Sequence, residues 1–141
     1  MVIGNALVFV DGAFVPGSVT VEDGAITAVG NENNFDIDAN GQYLVPGFID
    51  IHTHGAVGFD FSDGKPADLP ALSAYYAKNG VTSFLATTMT LKEETLLPAM
   101  EAIRDFKRPE NGAKCGGLHL EGPYIALSQA GAQPPAYIYP P

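Results

Sequence analysis

The 141-residue sequence predicts an α/β fold, with a small β-rich segment over 1–43 and alternating strands and helices over 44–141. Three observations carry this. Short β-prone runs separated by Asp-Gly and Pro-Gly pairs fill residues 5–30. From Leu44 onward the patterns run strand, helix, strand, helix, strand, the order of parallel βαβ units. His52, His54 and Glu121 all stand at strand ends, where (β/α)8 barrels carry their chemistry. The second segment therefore reads as the first part of such a barrel, about three βα units long.

The elements follow in order. ALVFV, AFV, SVTVE and AITAVG read as antiparallel strands turned by Asp11-Gly12, Pro16-Gly17 and Asp23-Gly24, because Gly adopts positive φ without a Cβ penalty. Val19 and Val21 alternate with Thr20 and Glu22, which predicts one buried and one wet face. NENNFDIDANG, residues 31–41, reads as a loop with a short strand piece, and Asp36 and Asp38 as solvated loop carboxylates. LVPGFIDI is almost unbroken apolar sequence, the pattern of a strand covered on both faces. Pro46 requires a strand start or a bulge there.

Residues 68–79 read as a helix with Asp68 as N-cap, Pro70 in the first turn, Gly80 past the end, and Leu69, Leu72 and Tyr76 on one stripe. VTSFLATT is a second strand. Thr90 with Glu93 three residues on has the form of a capping box. The helix that follows has Leu96, Met100, Ile103 and Lys107 along its inner face, and Pro98 predicts a kink or a later start. CGGLHLEGPY is the third strand-like run, with Cys115 as a small core residue just ahead of it.

Composition narrows the function. Hydrophobic content of 46% with 16% charged residues is that of a globular chain. A net charge of −9, from 7 basic and 16 acidic residues, argues against a nucleic-acid partner. No run has the length of a membrane span, so no membrane partner is expected. The start MVIGNALVFVDG lacks a signal peptide's basic region and cleavage site, and Cys115 is the only cysteine. Both fit a reducing, cytoplasmic setting.

The chemistry gathers in LVPGFIDIHTHG. His52 and His54 are i and i+2 on a strand, so they leave the same face. With the carboxylate of Glu121 they read as the two-His, one-carboxylate set of a catalytic divalent ion that keeps a position open for water, or else as polar residues ending a strand with Glu121 in a turn. Such an ion lowers the pKa of a bound water toward about 7. His119, at i−2 to Glu121, reads as a neighbour of the ligands or a packed histidine. Asp50, at i−2 to His52, reads as the group that orients that imidazole, or as a carboxylate paired elsewhere. Asp60 and Asp63 lie in the following Gly-rich loop and read as wet. The tail ALSQAGAQPPAYIYPP reads as a loop over the site or a frayed end.

LVPGFIDIHTHG, HLEGPYI and AGAQPP together resemble the amidohydrolase superfamily and, within it, the N-acetylglucosamine-6-phosphate deacetylase family. The resemblance spans nearly the whole chain. It implies a small β-sandwich over 1–43 and the truncated first part of a metal-dependent hydrolase (β/α)8 barrel over 44–141. It implies that His52, His54 and Glu121 bind one or two divalent ions, zinc or iron, and that Ala132 and Gln133 contact the sugar; many members carry histidine in place of Gln133. The implied reaction is hydrolysis of the 2-acetamido group of N-acetylglucosamine 6-phosphate, giving acetate and glucosamine 6-phosphate, by a full-length enzyme expected to be a homodimer. No histidine follows His119 and no aspartate follows Asp105. The implied general base is therefore expected beyond Pro141, with no catalytic residue within the chain and no activity in the chain alone. A dihydroorotase-like or deaminase-like hydrolase and a non-catalytic binding module are the alternatives.

Overall fold

A computed structural model describes residues 1–140. The chain divides into two compact units, Met1–Pro46 and Gly47–Pro141. The first is a five-stranded sheet of β1 (Val2–Val10), β2 (Ala13–Glu22), β3 (Ala25–Gly30), β4 (Ile37–Asp38) and β5 (Tyr43–Leu44). β1, β2 and β3 are consecutive antiparallel strands, and β4 and β5 both pair in parallel with β1. At the first two turns both residues take positive φ, 50° and 84° at Asp11-Gly12 and 50° and 77° at Asp23-Gly24, which matches the twist of a tight hairpin. Ala6, Val8 and Val19 form the core, with Val10, Val21, Ala39 and Leu44 against it.

Pro16-Gly17 is not a turn: β2 runs straight through it. Pro16 lies opposite Leu7, whose amide donates to Gln42 O on the other side of β1. That pair exchanges no ladder bond, and β3 pairs with β2 only from Ser18 onward. The missing Pro16 N–H therefore falls on an open edge, where a sheet tolerates it. Asp36 accepts the Val2 N–H at 2.7 Å, and Asp38 accepts Asn5 Nδ2 and the Asn40 N–H at 2.8 Å. Both carboxylates pin the 31–41 loop to β1.

The second unit holds β6 (Phe48–Thr53), a two-stranded β7–β8 hairpin (Gly55–Ala56, Phe59–Asp60), α1 (Leu69–Lys78), β9 (Val81–Thr88), α2 (Glu93–Asp105) and β10 (Lys114–Leu120). β6, β9 and β10 form a parallel sheet in the order β10-β9-β6, connected through α1 and α2. The expected βαβαβ order is thus present. The core sets Leu69, Leu72 and Tyr76 of α1 and Ala102 and Ile103 of α2 against Phe61, Phe84 and Ala86. The Phe84 ring lies 5.6 Å from Phe61 and 4.9 Å from Tyr76, centroid to centroid. Among the described residues, no helix is long and apolar enough to cross a membrane.

Several local expectations are corrected. LVPGFIDI is not one strand: Leu44 pairs with β1, Val45–Gly47 is irregular, and β6 starts at Phe48. Pro46, without an N–H, ends the pairing there. Nor is β6 covered on both faces, since Phe48, Ile49 and Ile51 are 63%, 70% and 64% exposed. Asp68 occupies the N-cap position of α1 but its side chain caps no amide. Thr90 does not cap α2; the helix starts at Glu93 behind Lys92 and continues through Pro98 without a break. Its buried stripe is Leu96, Ala99, Ala102 and Ile103, turned slightly from the expected Met100, and Lys107 lies past the helix end. Cys115 lies within β10, not ahead of it, and is partly buried.

Candidate metal centre

Parallel pairing brings the C-terminal ends of the three strands side by side, with Thr53 opposite Ala86 and Leu120 opposite Thr88. The Glu121 N–H donates to Thr88 O at 3.3 Å, which extends the ladder one residue beyond β10. His52 near the end of β6, His54 just past it and Glu121 just past β10 converge there. Glu121 Oε2 lies 2.9 Å from His52 Nε2 and 3.1 Å from His54 Nε2. One ligand atom from each of the three residues falls within 4.8 Å of the others.

The donor set favours a cation at this point. His54 Nδ1 faces the Thr87 carbonyl at 3.2 Å. A carbonyl only accepts, so Nδ1–H donates to it, and Nε2 is the atom left to face Glu121. The Glu121 carboxyl is held below the ordinary carboxylate range: burial opposes ionisation, but the Gln133 hydrogen bond and the His54 and His52 imidazoles together outweigh it. Oε2 is buried and faces the two imidazole nitrogens, with no hydrogen bond from any other described residue. Two imidazole nitrogens and a carboxylate oxygen this close call for a positive charge shared among them, supplied by a proton or by a bound cation. Two imidazole nitrogens and one carboxylate oxygen suit zinc or another divalent first-row ion.

The remaining expected residues take different positions. His119 Nδ1 faces Ile51 O at 3.1 Å and Thr87 Oγ1 at 3.4 Å, and its ring meets the His52 ring edge-on at 4.9 Å. Asp50 does not hold the His52 imidazole; it accepts the His52 backbone N–H at 3.1 Å. Asp60 caps the Ser62 amide at 2.7 Å and Asp63 pairs with Lys65 at 2.9 Å, so neither joins the cluster. Ala132 is exposed, whereas Gln133 is buried and hydrogen-bonded to Glu121 at 2.6 Å and to the Thr90 amide at 2.8 Å.

Two residues that matter here escape a reading of motifs. Thr87 is fully buried; its carbonyl fixes His54, and its hydroxyl accepts the Thr53 N–H at 3.0 Å. Thr90, also fully buried, donates its hydroxyl to Glu121 O at 2.7 Å. Gly122 passes close by at φ 87°, and a Cβ there would collide with the Thr90 side chain. The available signal was the polar ATT ending of an otherwise apolar strand, since hydroxyls at a strand's C-terminal end need partners.

No family model matches the chain. It is 38% identical over 134 residues to the N-acetylglucosamine-6-phosphate deacetylase of Bacillus subtilis, covering 88% of this chain and 34% of the relative. It is 35% identical over 116 residues to the N-acetylgalactosamine-6-phosphate deacetylase of Escherichia coli O157:H7, covering 82% of this chain and 31% of the relative. The crystal structure of the N-acetylglucosamine-6-phosphate deacetylase from Pasteurella multocida superposes with a TM-score of 0.84 at 28% identity, over 98% of this chain and 38% of that one. The chain thus spans about a third of the length of the relatives it matches.

Proposed function

We propose, starting from a chain that belongs to the N-acetylglucosamine-6-phosphate deacetylase family over about a third of its relatives' length, that it carries the metal-binding part of a sugar-phosphate deacetylase. The reaction is hydrolysis of the 2-acetamido group of N-acetylglucosamine 6-phosphate to acetate and glucosamine 6-phosphate. In this reading β6, β9 and β10 are the first three strands of a (β/α)8 barrel, and the β1–β5 sheet is part of a small sandwich. The observation that carries it is the meeting of His52 Nε2, His54 Nε2 and Glu121 Oε2 at the ends of parallel strands.

His52, His54 and Glu121 would hold the divalent ion, which when bound supplies Lewis-acid polarisation of an amide carbonyl and activation of water. The chain's own residues prepare the ligands. Thr87 O holds the His54 ring with Nε2 toward the site, and the Asp50 carboxylate secures the backbone of β6 at His52. Thr90 and the Glu121 carbonyl lock the loop after β9 to the end of β10. In this reading the proton-handling group and the groups that would grip the sugar phosphate are not supplied by the residues named here.

A chimera tests the reading, with this chain replacing the matching third of the Bacillus subtilis relative. The expected result is divalent-metal-dependent acetate release from N-acetylglucosamine 6-phosphate, lost in His54→Ala and Glu121→Ala, with no turnover by the 141-residue chain alone. Turnover by the chain alone would contradict the division of labour. A folded chimera that binds metal yet spares the substrate, while turning over another amide, would contradict the substrate assignment. The galactosamine epimer is the second substrate to assay, because the Escherichia coli relative carries its name.

A further inference from the structure

The buried amide of Gln133 has a donor–acceptor arrangement that sequence resemblance does not anticipate. Its Oε1 accepts the Thr90 backbone N–H at 2.8 Å, and its Nε2 donates to Glu121 Oε1 at 2.6 Å. A backbone N–H only donates and a carboxylate only accepts, so this orientation of the amide is the one that satisfies both partners. Gln133 is 4% exposed. The carboxylate of Glu121 is thereby divided: Oε1 is tied to Gln133, and Oε2 is turned to His52 and His54.

We propose that Gln133 is a positioning residue for Glu121, presenting its Oε2 as a one-oxygen ligand. The proposal rests on the reading of His52, His54 and Glu121 as a metal centre. The Thr90 amide is the anchor. It belongs to a loop whose hydroxyl also holds the Glu121 carbonyl, so one short segment fixes the carboxylate directly at its backbone and through Gln133 at its head. Without the tie, the side chain of Glu121 is free to rotate or to bind through both oxygens, and the preformed geometry is lost. A neutral imidazole also offers one N–H and one lone pair flanking a common carbon, so histidine at 133 can make the same two bonds. Methionine has nearly the same length and neither group.

The test is titration of the 141-residue chain with Zn2+ against a chromophoric chelator, and with Co2+ followed by its ligand-field absorption, in wild type, Gln133→Met and Gln133→His. Far-UV circular dichroism and thermal melts monitor folding. Loss of a residue that orients a ligand weakens metal binding by about 10–100-fold. That loss is expected in Gln133→Met together with an altered Co2+ spectrum, while Gln133→His stays within about threefold of wild type on the same scale. Wild-type affinity in a folded Gln133→Met overturns the proposal, as does a Gln133→His that is folded and as weak as Gln133→Met. A wild type that binds neither ion overturns the metal centre itself, and the positioning role with it.

Discussion

Glu121 Oε2 is a buried carboxylate oxygen that two imidazole nitrogens face at 2.9 and 3.1 Å, with no hydrogen bond from any other described residue. Such a group is costly unless a charge neutralises it, which makes it the residue whose surroundings say most about function. Thr87 O orients His54, one of the imidazoles that face it. Thr87→Val keeps the carbonyl that orients His54 but removes the acceptor for the partly buried Thr53 amide. It is expected to lower stability by about 1–3 kcal/mol, read from urea unfolding. Tyr76 gives a pH signature. Burial raises its pKa above the ordinary tyrosine value of 10.0, and this outweighs the Thr53 hydrogen bond at 2.8 Å. Below pH 10 both folded and unfolded chains keep the proton; above it the unfolded chain releases it first. Stability is therefore expected to fall as pH rises through 10 toward the raised value. In Tyr76→Phe this part of the decline should vanish, at a baseline cost of about 1 kcal/mol for the lost hydrogen bond. Unfolding measured from pH 8 to 11 checks it.

At the scale of elements, α2 carries the clearest local conflict. Pro98 sits inside the helix, where it removes the bond to the carbonyl four residues back, yet the helix continues because Leu96, Ala99, Ala102 and Ile103 pack on the core. Pro98→Ala is expected to raise stability by roughly 1–3 kcal/mol, measured by thermal or urea unfolding. Gly122→Ala should do the reverse, because φ 87° and the Thr90 side chain leave a methyl group no room. These elements also show what the sequence made legible. The strand–helix alternation, both I′ hairpins and the α1 stripe of Leu69, Leu72 and Tyr76 follow from periodicity and turn chemistry, which are local properties. Pro16 and Thr90 were misread because their roles depend on partners 9 and 31 residues away, Leu7 and Glu121. His52 and His54 were legible because strand geometry alone puts i and i+2 on one face. The partnership of Gln133 with Glu121 needs a tertiary fold-back that no spacing encodes.

At the scale of the whole molecule, the open surface is the main feature. Phe48, Ile49 and Ile51 of β6 are mostly exposed, and a cleft between α2 and β10 is lined by Leu97, Met100, Phe106, Cys115 and Leu118. Exposed apolar area of this kind favours association. Sedimentation velocity is expected to show concentration-dependent self-association of the isolated chain, reduced by Ile49→Lys; a monomer at all concentrations would contradict this. The proposed barrel accounts for the same surface, since further βα units would cover it. The most direct measurement of the central claim is zinc-edge anomalous scattering from crystals of the chain grown with Zn2+. The account predicts one ion about 2.0–2.2 Å from His52 Nε2, His54 Nε2 and a single oxygen of Glu121. Zinc bound elsewhere, with those three side chains unliganded, would contradict it.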